Sequence, residues 1–139
     1  MKHIRKVFAA TLFLSLFTLL SACSKGGSTP APPTPPVEES LKVSTNASTL
    51  NVTPGADFDF ILSVDSKMPT DGVKIEYTLK GETDNQDYAQ GPAIETKTKT
   101  TDIRLRGMPR QKFCVCNITV TSKTKASNSA TTSFRVVYK

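Results

Sequence analysis

Hydrophobic and polar residues alternate one by one along most of the chain after residue 40. The clearest stretch runs from Phe58 to Val64, where every second side chain is apolar. The same spacing returns from Val73 to Leu79 and from Cys114 to Val120. Successive side chains of a strand point to opposite faces, so a period of two predicts strands with one buried face. No segment shows a convincing helical period.

Turn-forming residues divide these stretches into about seven short strands. Residues 81–92 are polar and predict a loop, and the Thr/Lys-rich stretch that begins at Ile94 is too polar for a central strand. This spacing of strands and turns predicts an all-β fold, a single β-sandwich of residues 41–139. The apolar residues of the predicted strands are Leu41 and Val43, Leu50 and Val52, Phe58 to Val64, Val73 to Leu79, Ile103 and Leu105, Cys114 to Val120, and Phe134 to Tyr138.

The layout of these strands resembles the immunoglobulin-like and fibronectin type III-like modules of bacterial surface proteins. The resemblance rests on the turn Thr53-Pro54-Gly55 before an F-x-F-x-L-x-V strand, on the V-x-I-x-Y-x-L strand, and on the final hairpin. It implies an immunoglobulin-like β-sandwich. An antibody-type domain is not implied, because the chain has no tryptophan, no cysteine on its second-strand candidate and no tyrosine two residues before Cys114.

Four charged residues provide a test of this strand register. In such a sandwich the strand that begins at Phe58 neighbours the strand of Ile103 and Leu105. Asp57 and Asp59 would then lie near Arg104 and Arg106. Exposed ion pairs of this kind contribute little to stability, so they indicate register only.

The first 22 residues have the pattern of a secretory leader. Residues 1–6 are basic and residues 7–20 are apolar, which is too short for a comfortable membrane span. The residues that follow, Leu20-Ser21-Ala22-Cys23, resemble the lipobox of bacterial lipoproteins. The resemblance implies transfer of diacylglycerol to the Cys23 thiol and cleavage before this residue. The chain would then be held to a lipid bilayer by its acylated cysteine.

Residues 23–40 predict a tether between the lipid and the domain. They are rich in Pro, Gly and Ser, and at about 3.1 Å per residue they would reach at most roughly 50 Å. Ser24 stands where Asp would resemble the inner-membrane retention signal of enteric bacteria. We therefore expect a cell-envelope protein at the outer membrane, facing either the periplasm or the medium.

The charge of the chain argues against nucleic acid as a partner. The formal net charge is +6, but three basic residues belong to the leader, so 15 basic and 12 acidic side chains would remain after cleavage. Such a small and dispersed excess differs from the clustered basic stripes of nucleic-acid readers.

The composition also argues against an enzyme or a metal protein. The single histidine, His3, lies in the leader, which removes the commonest general base and first-row metal ligand. We therefore expect no catalytic residues and no cofactor. The acidic loop from Glu82 to Asp87 offers oxygen ligands for calcium, but its spacing matches no known loop signature, and a solvated loop is the alternative.

Cys114 and Cys116 are the remaining thiols once Cys23 is acylated. At positions i and i+2 of a strand they face the same side as Ile118 and Val120. They could be small apolar core groups, a strained disulfide, an intermolecular bridge, or ligands of a soft metal such as Cu(I). The last alternative, thiol-based metal or redox chemistry, requires exposed thiolates.

The opposite face of the same strand predicts a contact surface. Phe113 and Val115, with Val137 on the last strand, would form an apolar patch on the outer face of a sheet. Such patches mark contacts with proteins or glycans, whereas scattered apolar residues need no such explanation. The sequence thus favours a non-enzymatic binding or spacer module, of which an accessory subunit of an envelope assembly is one form, with an envelope protein or glycan as its partner.

Overall fold

The structure is an all-β fold, as the alternation predicts. The computed structural model describes residues 37–139, so the predicted leader, Cys23 and residues 24–36 lie outside the described residues. Within residues 37–139 no helix is long and apolar enough to cross a membrane. The nine strands are β1 (Val43–Thr45), β2 (Leu50–Thr53), β3 (Phe58–Val64), β4 (Val73–Gly81), β5 (Asp87–Tyr88), β6 (Ile94–Thr96), β7 (Thr100–Leu105), β8 (Phe113–Ser122) and β9 (Ser129–Tyr138).

The two strands beyond the predicted seven are β5 and β6. Both are very short and pair with β4, one near each end of that strand. The predicted loop of residues 81–92 is therefore wrong at Asp87 and Tyr88, where backbone pairing to Lys80 and Leu79 forms a strand that the polar sequence does not reveal. Because β6 lies at an edge, its polar composition is tolerated.

The strands form two sheets. The three-stranded sheet has the order β1-β3-β7, and the six-stranded sheet has the order β2-β9-β8-β4-β5, with β6 also pairing to β4. All pairs are antiparallel except β2 with β9. One sheet thus holds β1, β3 and β7 while the other holds β4, β8 and β9, which is the division of strands in an immunoglobulin-type sandwich.

The core lies between the inward faces of the two sheets. Three phenylalanines form its aromatic cluster, and the ring of Phe60 meets that of Phe134 edge-on at 5.0 Å between centroids. Phe58 packs against Phe134 at 5.8 Å. The apolar residues on the predicted inward faces of β3, β4 and β8 are buried or partly buried in the core between the two sheets.

The predicted register marker is confirmed for one pair. Asp59 lies opposite Arg104 in the β3–β7 ladder, and the Arg104 guanidinium donates to both carboxylate oxygens at 2.6 and 2.8 Å. These hydrogen bonds hold the pKa of the Asp59 carboxyl below its usual value. The side chain of Arg106 makes no ion pair with Asp57. The backbone of Arg106 forms hydrogen bonds with the side chain of Gln90.

The chain enters the sandwich at one end, which we call the N-terminal end. This end consists of residues 37–42 with the turns at 65–72, 97–99 and 123–128. Asn128 fastens the entering segment: its amide donates to Glu38 Oε1 at 2.6 Å and to the Glu39 carbonyl at 2.8 Å, and its oxygen accepts from the Leu41 N–H at 2.9 Å. The last residues assigned to the tether therefore contact the domain.

Candidate functional site

The predicted contact patch is only partly exposed. Phe113 and Val115 lie on the outer face of the six-stranded sheet, Phe113 with 42% of its surface exposed and Val115 half-buried. The prediction that Val137 is an exposed member is wrong, since only 3% of its surface is accessible. Val137 lies on an interior strand between Phe113 of β8 and Val52 of β2, and these two neighbours shield it.

Two residues that the sequence reasoning missed extend this patch. Leu50 is 44% exposed and Val52 is 56% exposed. Parallel pairing of β2 with β9 aligns Leu50 with Arg135 and Val52 with Val137, so both side chains share the outer face. Nothing in the sequence reveals this pairing, because two apolar residues on a four-residue strand do not indicate their face. We call the set of Leu50, Val52, Phe113, Val115 and Val137 the outer-face patch.

A positive charge lies within the outer-face patch. Arg135 stands between Leu50 and Val115 in register, and its guanidinium carbon lies 5.1 Å from the centroid of the Phe113 ring. The same guanidinium donates to Glu82 Oε2 at 2.6 Å. An exposed aromatic ring backed by a fixed cation suits apolar side chains or the face of a sugar ring.

The outer-face patch lies away from the N-terminal end. Phe113 is the first residue of β8, whereas Ser122, its last, meets the N-terminal end. Val52 and Val137 lie near the ends of β2 and β9 and pair in the same half of the sheet. A partner bound there would thus meet the half of the domain that is farthest from the entering chain.

Both cysteines of β8 are buried in the core. Cys114 and Cys116 have no accessible surface and carry free thiols. Burial raises the pKa of the Cys116 thiol to about 12. Burial, followed by the charge of Asp84, also raises the pKa of Cys114. These surroundings disfavour the thiolate that metal binding or thiol exchange requires.

The carboxylates of the acidic loop do not converge. Glu82 pairs with Arg135, Asp84 with Lys112 at 2.9 Å and Asp87 with Lys80 at 3.3 Å. Across residues 37–139 no three His, Cys, Asp or Glu side chains lie close enough to share a metal ion. Three separate ion pairs thus tie the loop to β4, to β9 and to the residue that precedes β8.

Two larger surface depressions flank β7, and the sequence reasoning did not find them. One, of about 560 Å³, lies over the outer face of the three-stranded sheet beside Asp59, Ile61 and Arg104. The other, of about 540 Å³, lies between β7 and the segment of residues 89–94. The second follows a sheet edge.

In comparisons with known proteins, no protein-family model, no curated protein and no solved structure matches the chain.

Proposed function

We propose that the chain is a cell-envelope lipoprotein whose β-sandwich acts as a non-enzymatic binding module, held to the outer membrane by lipid on Cys23. The partner is an envelope protein or glycan that contacts the outer-face patch. The observation that carries the proposal is the placement of this patch in the half of the domain opposite the entering chain.

The shape of the domain suits this role. A tether of residues 23–40 would hold the N-terminal end nearest the membrane and direct the outer-face patch outward. Exposed apolar side chains in a contiguous group mark contact sites. The exposed Leu50, Val52 and Phe113 and the half-buried Val115 surround the buried Val137 on three adjacent strands. The buried thiols do not favour metal or redox chemistry as a second function.

Site-specific photo-crosslinking in intact cells tests the contact. A benzoylphenylalanine at Val52 reports on the outer-face patch, and one at Asn117, exposed on the same sheet face nearer its middle, serves as the matched control. We expect one discrete adduct from Val52, identified by mass spectrometry as protein or glycan, and none from Asn117. Equal labelling from the two positions, or no adduct from Val52, would contradict the proposed contact.

A further inference from the structure

Strand β7 is the longest strand at a sheet edge in the described part of the chain. It has six residues, whereas the other edge strands have two to four. Edge strands are commonly protected by Pro, Lys or a bulge, since unpaired backbone groups invite another strand. From Thr100 to Leu105 there is neither a Pro nor a Lys.

The free backbone groups of β7 belong to Asp102 and Arg104. The Val64 N–H donates to the Lys99 carbonyl at 2.8 Å, which sets the alternation along the β3–β7 ladder. Bonded and non-bonded positions alternate in an antiparallel pair, so Thr101, Ile103 and Leu105 bond to β3. The N–H and C=O groups of Asp102 and Arg104 therefore point outward from the sheet.

Side chains form hydrogen bonds with the outward backbone groups of Thr100 and Arg106, which flank Asp102 and Arg104 on β7. Gln90 accepts from the Arg106 N–H and donates to the Arg106 carbonyl, both at 3.0 Å, as a paired strand would do. At the other side, Thr98 Oγ1 donates to the Thr100 carbonyl at 2.9 Å. Among residues 37–139 no hydrogen bond reaches the outward groups of Asp102 and Arg104. The opening thus has the length of a short strand.

A groove of mixed polar and apolar lining runs along this opening. The depression of about 540 Å³ is lined by the segment of residues 89–92, by the side chains of Tyr77, Ile94 and Ile103, and by Asp102, Arg104 and Arg106. Tyr77 and Ile94 pack against the core and are only partly buried, because no strand lies over them. An added strand would cover both side chains and continue the three-stranded sheet.

The segment of residues 89–94 also determines which kind of partner can bind in the groove. Residues 89–94 project from the six-stranded sheet to the open position beside β7, and Gln90 spans the gap. A second copy paired through its own β7 would bring its own 89–94 segment into the same space. One extended peptide brings no such segment, so the groove accepts a single strand rather than a second sandwich.

We infer that the edge of β7 is a strand-addition site that binds an extended peptide segment of another protein in antiparallel orientation. Two of its residues exchange four hydrogen bonds with Asp102 and Arg104. The residue between them is apolar and faces Tyr77 and Ile94. The residue opposite Asp102 is basic, because side chains of opposite charge pair favourably across strands. The residue opposite Arg104 is acidic and shares with Asp59 the guanidinium that Asp59 already binds. This site is separate from the outer-face patch and does not depend on the lipid anchor.

A synthetic peptide tests the site on the protein purified from the cells that make it. The probe is acetyl-Thr-Val-Glu-Val-Lys-Val-Thr-amide, titrated to about 2 mM while amide hydrogen exchange is followed. We expect saturable protection of the Asp102 and Arg104 amides. N-methylation of the peptide's Glu and Lys removes two hydrogen bonds and is expected to weaken binding about tenfold or more. N-methylation of the Val between them is the matched control, because that N–H points away from β7.

Several results would overturn the inference. One is the absence of protection at Asp102 and Arg104 at the highest peptide concentration; another is equal binding of the two N-methylated peptides. Protection of the same amides in a dimer without peptide would show that a second copy occupies the edge instead. In the protein, the variant Asp102→Pro removes one outward N–H and the charge of Asp102, and is expected to weaken binding about tenfold or more while the far-ultraviolet spectrum stays that of the parent.

Discussion

The thiol of Cys116 shows how one strand position determines what a reactive group does. Its side chain faces the core between Leu79 on β4 and Phe134 on β9, with no accessible surface. There it contributes volume and apolar contact, as a small hydrophobic residue would. The same reasoning applies to Cys114, which lies between Gly81 and Val136.

Replacement of Cys116 by serine is expected to destabilise the fold more than replacement by alanine. Both variants lose the sulfur, but Cys116→Ser adds a hydroxyl to a site that is closed to water. A buried hydroxyl without a partner costs about 1–3 kcal/mol, so we expect a difference of this size in the free energy of unfolding. Chemical denaturation of both variants measures it. Equal stabilities would mean that water or a polar partner reaches the site.

The raised pKa of Cys116 predicts a loss of stability in alkali. The folded-state pKa is about 12, above the ordinary value of 9.0. Between these two values the unfolded chain has released the proton and the folded chain keeps it. The contribution is therefore complete below the unfolded pKa and is lost as pH rises toward 12, with a slope of at most about 1.4 kcal/mol per pH unit.

This alkaline loss is measured by urea denaturation from about pH 8 to pH 11 in the parent and in Cys116→Ala. The control removes the thiol and keeps the lysines and tyrosines, whose titration affects both proteins alike. A steeper decline in the parent is the expected outcome. Identical pH profiles would show that the thiol titrates normally and reaches solvent.

At the scale of the strands, the alternation indicated which residues of β3, β4 and β8 are inward. Each of these strands has seven or more residues, so the period of two is well sampled. The short elements could not be predicted in this way. β2 has four residues, and its parallel pairing with β9 turns Leu50 and Val52 outward; only the tertiary contact decides this. The burial of Val137 follows from the same pairing, which places Val52 of β2 beside it.

The fastening of the N-terminal segment depends on one side chain of the β8–β9 turn. Asn128→Ala removes three hydrogen bonds to residues 38–41 and is expected to cost about 1–2 kcal/mol of unfolding free energy. The neighbouring exposed Ser127 serves as control, since Ser127→Ala is expected to change stability by less than about 0.5 kcal/mol. Equal effects of the two substitutions in thermal unfolding would contradict this role of Asn128.

Proline substitutions distinguish the two sides of β7. Thr101→Pro removes an N–H that bonds to β3 and is expected to lower the free energy of unfolding by at least about 2 kcal/mol. Asp102→Pro removes an outward N–H and is expected to cost less than about 1 kcal/mol, because edge strands tolerate such prolines. Denaturation of the two variants compares them. Equal losses, or a larger loss for Asp102→Pro, would show that the register of the ladder is misassigned.

In the whole molecule, the entering chain and the outer-face patch occupy opposite halves of the sandwich. The proposed lipid anchor precedes the entering chain in the sequence, and the proposed contact surface lies in the other half of the domain. The sequence predicted the class of fold and part of the patch. It could not predict the groove beside β7, which arises from the vacant strand position and from the projection of residues 89–94.

The intact mass of the protein extracted from membranes tests the central claim most directly. Signal cleavage and acylation predict a chain that lacks residues 1–22 and carries two or three acyl chains on Cys23, the number that stable anchoring requires. The Cys23→Ser variant is the control and should retain its leader and gain no lipid. A soluble chain that is cleaved elsewhere and carries no acyl group would contradict the lipoprotein proposal.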